Sequence, residues 1–169
     1  MHSRSATVRP AVGDVSQDQE APALARLFAM AFRDLIDDLH ERLVQSGWQD
    51  VRSPYGFVLL AARDRPTTVA ELTTLLGISK QATSQLVDAM CRSGYVRREP
   101  SATDGRQRPV VMTERGQELL RAVERIYRDL DDEWADVIGR KALDGMRRSL
   151  TRVLLARNDG RLPPVRPGW

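Results

Sequence analysis

A short polar stretch, SATDGRQRPV at residues 101–110, contains an acid, a glycine and two arginines. It lies at the end of a basic segment from Arg92 to Arg108, in which five arginines stand against Glu99 and Asp104. The formal charge of the whole chain is +3, so this segment accounts for all of the excess. Guanidinium groups pair well with phosphate oxygens, and a local basic excess is typical of polyanion binding. A solvated arginine-rich loop would have the same composition.

The preceding segment, residues 67–96, has the pattern of two short helices joined by a turn. Gly77 interrupts the apolar period, and Ser79 can cap the second helix. Inward positions of that helix recur at i, i+3, i+4 and i+7, and they hold Thr83, Leu86, Val87 and Met90. Gly94 offers a left-handed stop at its end. The pattern is that of a helix-turn-helix, whose second helix could enter a major groove.

The outward face of the second helix is polar, and it consists of Ser79, Lys80, Gln81, Ser84, Gln85 and Asp88. Lysine, glutamine and serine side chains can hydrogen-bond base edges or phosphates. Any surface helix also has a polar outer face, so this face alone leaves both interpretations open.

Helices are predicted before the helix-turn-helix unit. After Pro22, apolar residues recur at helical spacing as far as a stop near Gly47. SPYGFVLLAAR then predicts a short helix, with Ser53 as its cap and Pro54 at its first helical position. The high apolar content of this short helix indicates that it is buried.

A hairpin and two helices are predicted after the helix-turn-helix unit. YVRRE and RQRPVVM have strand-like composition, and Pro109 delays the returning strand. Thr113 can cap a long helix with near-heptad apolar spacing, and a last helix covers roughly residues 141–157. The chain is therefore expected to be mainly α, with a small β-hairpin.

Other classes of protein are disfavoured by composition. The chain of 169 residues is 41% hydrophobic and 29% charged, and it has no apolar run near the ~20 residues that cross a bilayer. Its first residues contain no apolar stretch typical of a signal peptide, so we expect a cytoplasmic protein. Cys91 is the single cysteine and His2 and His40 are the only histidines. No phosphate loop, HExxH pair or GxSxG elbow is present, so we expect no enzyme, cofactor or metal site.

The residues from about 28 to 155 resemble the MarR family of bacterial winged helix-turn-helix regulators. The resemblance is strongest over TVAELTTLLGISKQATSQLVDAMCRSGYVRREPSATDGRQRPVVMTERG, residues 68–116. There the chain has the family's helix-turn-helix, its GYV.R segment, the D.R pair of the wing and a TERG start of the next helix. Met112 and the polar Thr83 depart from residues that are usually aliphatic in the family.

The resemblance implies an intertwined homodimer that binds a palindromic operator, usually as a repressor. Double-stranded DNA would then be contacted by the recognition helix and by the wing, through Ser79, Lys80, Gln81, Ser84, Gln85, Arg97, Arg98, Asp104, Arg106 and Arg108. In the family's wing the acid orients the arginine, so Asp104 would hold Arg106 in the minor groove. Gln85 stands where many relatives have arginine, which favours adenine over guanine at that contact.

The resemblance also implies a domain organisation and an effector site. Residues 1–21 would be a flexible N-terminal segment, residues 22–158 one MarR-like domain, and residues 159–169 a proline-rich tail. Within that domain residues 22–52 and 114–158 would form the dimerisation helices, and residues 53–113 the DNA-binding lobe. A small aromatic or anionic ligand would bind in a cleft lined by Phe32, His40, Trp48, Tyr55 and Phe57. The alternative is a winged-helix module that binds proteins rather than an operator.

Overall fold

The computed structural model describes residues 22–100 and 108–164. The elements follow in the order α1 Leu24–Gln45, α2 Ser53–Ala61, α3 Val69–Leu76, α4 Lys80–Arg92, β1 Val96–Arg98, β2 Val110–Met112, α5 Glu114–Ile138 and α6 Arg140–Arg157. The predicted class, mainly α with one small hairpin, is confirmed. The predicted N-terminal segment and the last five residues of the predicted tail lie outside the described residues.

By its contacts the chain divides into two compact units, Met1–Asp34 and Leu35–Trp169. In the first unit, the described residues belong to the start of α1. Several large apolar side chains there are more than half exposed, namely Leu24 at 64%, Met30 at 61% and Phe32 at 53%. Isolated apolar residues are common on protein surfaces, but a group of this size on one short segment is typical of an interface.

The second unit has one hydrophobic core, to which α2, α3, α4, α5, the hairpin and the remainder of α1 contribute. Among its fully buried side chains are Leu59 of α2, Leu72 of α3, Val87 of α4 and Leu119 of α5. Helix α6 contributes buried Leu143 and packs on α5. Outer residues of the last two helices stay exposed, among them Val137, Ile138, Met146, Val153 and Leu154.

Two of the three predicted helix caps are confirmed. The Ser79 hydroxyl accepts from the Ala82 amide at 3.1 Å, and Thr113 accepts from the Gly116 amide at 3.1 Å. The prediction that Ser53 caps α2 is wrong, since Ser53 is already helical and the cap position is held by Arg52. The Ser53 hydroxyl instead lies 3.4 Å from Nε2 of His40. The Ser53 side chain therefore contacts α1 and caps no amide of α2.

The hairpin has antiparallel register, with Val96 opposite Met112 and Arg98 opposite Val110. Its second strand begins directly after Pro109, as predicted, because proline has no amide to donate to the ladder. The carbonyl of Pro109 still accepts from the Glu99 amide at 3.0 Å. Thr67, just before α3, bridges Val110 through a reciprocal pair of backbone hydrogen bonds at 3.0 and 2.7 Å. The base of the hairpin is therefore fixed to the helix-turn-helix.

Helix α3 begins with a capping box, in which Thr68 and Glu71 each accept from the other's backbone amide. The Glu71 carboxylate also accepts from the Arg65 guanidinium at 2.8 Å. The Arg65 pairing and the backbone hydrogen bond from Thr68 lower the pKa of Glu71 from 4.5 to about 2. The ionised form is therefore the one that stabilises this helix start.

The ionisation of Glu71 predicts an acid-dependent loss of stability. A carboxyl whose pKa is lower in the folded state stabilises the protein above the unfolded pKa of 4.5, and the contribution disappears as the pH falls towards 2. Because the side chain is 43% exposed, we expect a contribution of about 1 kcal/mol or less. In urea titrations at pH 7 and pH 3, E71Q should lose less stability on acidification than the wild type. E118Q removes another exposed carboxylate, one without a partner in the described chain, and should behave as wild type.

No helix in the described ranges is long and apolar enough to cross a membrane. Residues 22–100 and 108–164 also contain no group of three or more histidine, cysteine or acidic residues that could hold a metal ion.

Candidate nucleic-acid interface

The turn between α3 and α4 sets the position of α4. Gly77 adopts a left-handed conformation with φ of 67°, which a residue with a Cβ adopts at a cost. Thr83, on the inward face of α4, is completely buried. Its hydroxyl donates to the Ser79 carbonyl at 3.0 Å and accepts from the Thr73 hydroxyl at 3.1 Å. The buried hydroxyl of Thr83, at a position that is usually aliphatic in the family, therefore has hydrogen-bond partners. Its bond with Thr73 connects α3 to α4.

The outward face of α4 is free to bind. Ser79, Lys80, Gln81 and Gln85 are exposed, and Ser84 is half-buried. Apart from the capping bond of Ser79, these side chains form no hydrogen bond or ion pair with any described residue. Each turn of this face therefore presents hydrogen-bonding groups to solvent, while the opposite face is held in the core.

The basic residues of the hairpin differ in their partners. Arg97 pairs with Glu99 at 2.5 Å, and Arg98 pairs with Asp88 of α4 at 2.9 Å. Arg108 is exposed and forms no ion pair with any described residue. Asp104 and Arg106 fall within residues 101–107, outside the described ranges.

The Arg98–Asp88 pair was not predicted. It joins the outward side of α4 to strand β1, and Arg98 is only 27% exposed. Asp88 would place a negative charge on the face that carries Lys80 and Gln85, and the guanidinium of Arg98 compensates that charge. The sequence shows both charges, but their ten-residue separation contains the end of a helix and a turn, so no helical spacing predicts the contact.

Behind the recognition face, an aromatic cluster connects the end of α4 to α5 and to the loop after α1. The hydroxyl of buried Tyr95 donates to Asp50 at 2.5 Å, and its ring packs edge-on against Tyr55 with centroids 5.8 Å apart. The Arg115 guanidinium lies 5.2 Å from the Tyr95 centroid and 5.5 Å from that of Trp48. These contacts fix Tyr95, the third residue after the end of α4.

Ionisation in this cluster follows from its contacts. Burial, and then the hydrogen bond to Asp50, raise the pKa of Tyr95 to about 12. Hydrogen bonds from Tyr95 and Ser93 lower the pKa of Asp50. At neutral pH, Tyr95 therefore stays a hydrogen-bond donor and Asp50 stays a charged acceptor.

The residues predicted to line an effector cleft are not gathered around one recess in the described second unit. Tyr55 is buried in the core and Trp48 is half-buried beside Tyr95. Phe57 lines a recess of about 410 Å³ between α2 and α3, together with Leu60 and Leu75. His40 donates from Nδ1–H to the Ile36 carbonyl at 2.8 Å. Phe32, the last of the five predicted residues, is exposed in the first unit.

Cys91 is half-buried on α4. Burial is the main cause that raises the pKa of its thiol, which reduces the thiolate fraction at neutral pH.

One family model matches part of this chain. Residues 55–107 match the MarR family. The match begins within α2 and covers the helix-turn-helix and β1, so the resemblance predicted from the sequence is confirmed. No curated protein matches the chain in sequence.

Solved MarR-type structures have the same fold. MarR from E. coli in its reduced form is 24% identical, with a TM-score of 0.69 over 80% of this chain and 98% of that chain. A variant of MepR from S. aureus, bound to an oligodeoxyribonucleotide, is 19% identical, with a TM-score of 0.57 over 80% and 99%. BldR from Sulfolobus solfataricus is 23% identical, with a TM-score of 0.55 over 76% and 93%. The winged helix-turn-helix fold is thereby confirmed.

Proposed function

We propose that this protein is a transcription regulator that binds a palindromic operator in double-stranded DNA as a homodimer, most simply as a repressor. The observation that carries the proposal is the free outward face of α4. Lys80, Gln81 and Gln85 lie exposed without partners in the described chain, on a helix whose inner residues Val87 and Met90 are completely buried. A rigid helix with free polar groups on one side has the form that enters a major groove. The MarR family match and the DNA-bound MepR structure support the same function.

The proposed base contacts follow from the side chains. A glutamine can donate to and accept from adenine, so Gln85 and Gln81 would favour adenine in the half-site. Lys80, at the first helical position, would contact phosphate or guanine. In the wing, Asp104 would orient Arg106 towards the minor groove, and Arg108 would meet a phosphate. Arg97 and Arg98 could contact phosphates only in addition to their present partners, Glu99 and Asp88.

The proposed homodimer would cover apolar surface that one copy leaves exposed. The start of α1 leaves Phe28 41% exposed, and the last two helices leave Val137 and Val153 each 55% exposed. These residues fall within ranges 22–52 and 114–158, which we assign to dimerisation. Two recognition helices in one dimer would enter successive major grooves roughly 34 Å apart, which is the spacing of a palindrome's half-sites.

We further propose that a small aromatic or anionic ligand releases the DNA, and of the residues predicted to line its cleft Phe57 lies at a recess of the second unit. A ligand changes DNA affinity only if it binds one spacing of the recognition helices better than the other. The function proposed for the chain requires neither catalysis nor a cofactor, and it implies residence in the compartment that holds the DNA, the cytoplasm.

The proposal is tested by selection of DNA fragments and by an arginine substitution in the wing. Wild-type protein should select duplexes with a palindromic sequence from a random pool, and should bind them as two chains per duplex. With a selected duplex, Arg106→Ala should reduce the slope of log affinity against log salt concentration by about one unit for each wing in the complex. Fluorescence anisotropy at several salt concentrations measures that slope.

A matched control is Arg161→Ala, which removes an exposed arginine beyond the ranges assigned to dimerisation and DNA binding and should leave the slope unchanged. An unchanged slope in the Arg106 variant would contradict the role assigned to the wing. Wild-type protein that selects no sequence even at low salt, but binds a protein partner, would instead identify a protein-interaction module.

A further inference from the structure

Arg52 and Arg92 lie at a polar recess beside the proposed interface. The recess has a volume of about 350 Å³ and lies where the loop before α2 meets the end of α4, with Asp50 and Ser93 also in its lining. Both arginines are exposed. Within the described chain neither forms an ion pair or a hydrogen bond through its side chain, whereas Arg98 is engaged with Asp88. Two unpaired guanidinium groups at one recess favour an anionic ligand.

The position of Arg92 on α4 relates this recess to DNA. Arg92 follows Gln81 by 11 residues and Gln85 by 7, so a helical period of about 3.6 residues puts all three on one face. At about 1.5 Å per residue, Arg92 lies roughly 16 Å along the helix from Gln81. A major groove is about 12 Å wide, which is less than this distance. If the first turns of α4 lie in the groove, Arg92 lies beside the sugar-phosphate backbone at its edge.

The charge of the recess is also suitable for a phosphate. Asp50 contributes the one carboxylate of the lining, and its oxygen already accepts from the Tyr95 hydroxyl at 2.5 Å. The two arginines therefore exceed the acidic charge by one. Helix α2 begins beside the recess without a side-chain cap, which adds a small positive partial charge to that of the arginines.

We infer that the recess between Arg52 and Arg92 binds a phosphate of the DNA backbone, beyond the bases that α4 contacts. This inference rests on the proposed function, and it extends the interface from α4 and the wing to the start of α2. A phosphate contact contributes affinity and salt dependence, and it carries no direct sequence information.

The test uses the full-length protein and a duplex that the wild type has selected from a random pool. The double variant R52Q/R92Q should lose one phosphate contact per protomer. For a dimer the slope of log affinity against log salt should therefore fall by about 1.8, since each contact contributes about 0.9. The ranking of single-base variants of the duplex should stay as in the wild type. The control R161Q/R166Q removes the same charge from residues 159–169, outside the ranges assigned to dimerisation and DNA binding, and should keep the wild-type slope.

The possible results separate the inference from the function on which it rests. A wild-type slope in R52Q/R92Q, with thermal stability unchanged, would overturn the phosphate contact while wild-type DNA binding remains. Saturable binding of inorganic phosphate to the free protein, abolished in R52Q/R92Q while the DNA slope stays unchanged, would also overturn it and would assign the recess to a free anion. Absence of DNA binding by the wild type would mark the failure of the proposed function itself.

Discussion

Replacement of Gly116 with alanine should destabilise the folded protein by about 3 kcal/mol, the upper range for overpacking of a core. A Cβ at this position would clash with the carbonyl oxygen of Tyr95 and would lie 2.8 Å from Cγ of Met112. The oxygen cannot easily move, because it accepts from the backbone amide of Thr113 at 3.1 Å and from its hydroxyl at 3.0 Å. Relief of the clash would therefore require the start of α5 to separate from β1.

Urea denaturation followed by circular dichroism measures this loss. The control is Gly145→Ala in α6, where the added Cβ would meet only the end of the Arg148 side chain at 3.9 Å. Because alanine is favoured over glycine within a helix by up to about 1 kcal/mol, this variant should be as stable as the wild type or more so. Equal stability of the two alanine variants would show that the approach of α5 to Tyr95 is not sterically restricted.

The close approach of Gly116 to the Tyr95 carbonyl explains why a glycine stands at position 116. TERG at residues 113–116 is recognisable as a helix start from its sequence, and the Thr113 cap follows from residue type alone. The need for glycine at position 116 comes from a carbonyl 21 positions earlier in the chain. No local pattern contains that information, since it depends on how closely α5 approaches the residue directly before β1.

Local rules of the chain therefore predict its elements better than its contacts. Periodicity, apolar content and cap residues located the six helices of the described residues, and Pro109 predicted the late start of β2. The predicted cap of α2 was wrong because α2 already begins at Ser53, which leaves Arg52 at the cap position. The Arg98–Asp88 pair was missed because the end of α4 and a turn separate the two residues, so no helical spacing predicts their contact.

The candidate interface was predictable to different extents. The free face of α4 follows from helical period and polarity, which are local properties. Arg92 follows the same period from Gln85, and it could have been assigned to that face from the sequence. Arg52 could not, because only the tertiary structure brings the loop before α2 to the end of α4.

Replacement of Tyr95 should also have a large effect, and two variants separate its causes. Tyr95 is completely buried and contacts the rings of Trp48 and Tyr55. Tyr95→Ala should therefore cost about 3–5 kcal/mol, as for other large aromatic residues in a core. Tyr95→Phe keeps the ring but removes the hydrogen bond to the Asp50 carboxylate, so it should cost about 1–2 kcal/mol.

The pH dependence of Tyr95→Phe distinguishes the hydrogen bond from packing. The Tyr95 hydroxyl is the main cause that lowers the pKa of Asp50 below 3.8. This depressed pKa stabilises the folded state above pH 3.8, and that stabilisation is lost as the pH falls through the folded value. Between pH 7 and pH 3, the phenylalanine variant should therefore lose less stability than the wild type in urea titrations. Tyr55→Phe is the control, because its hydroxyl has no hydrogen-bond partner among the described residues, and its acid dependence should equal that of the wild type. Parallel acid dependence of wild type and Tyr95→Phe would mean that Tyr95 supports the end of α4 through packing alone.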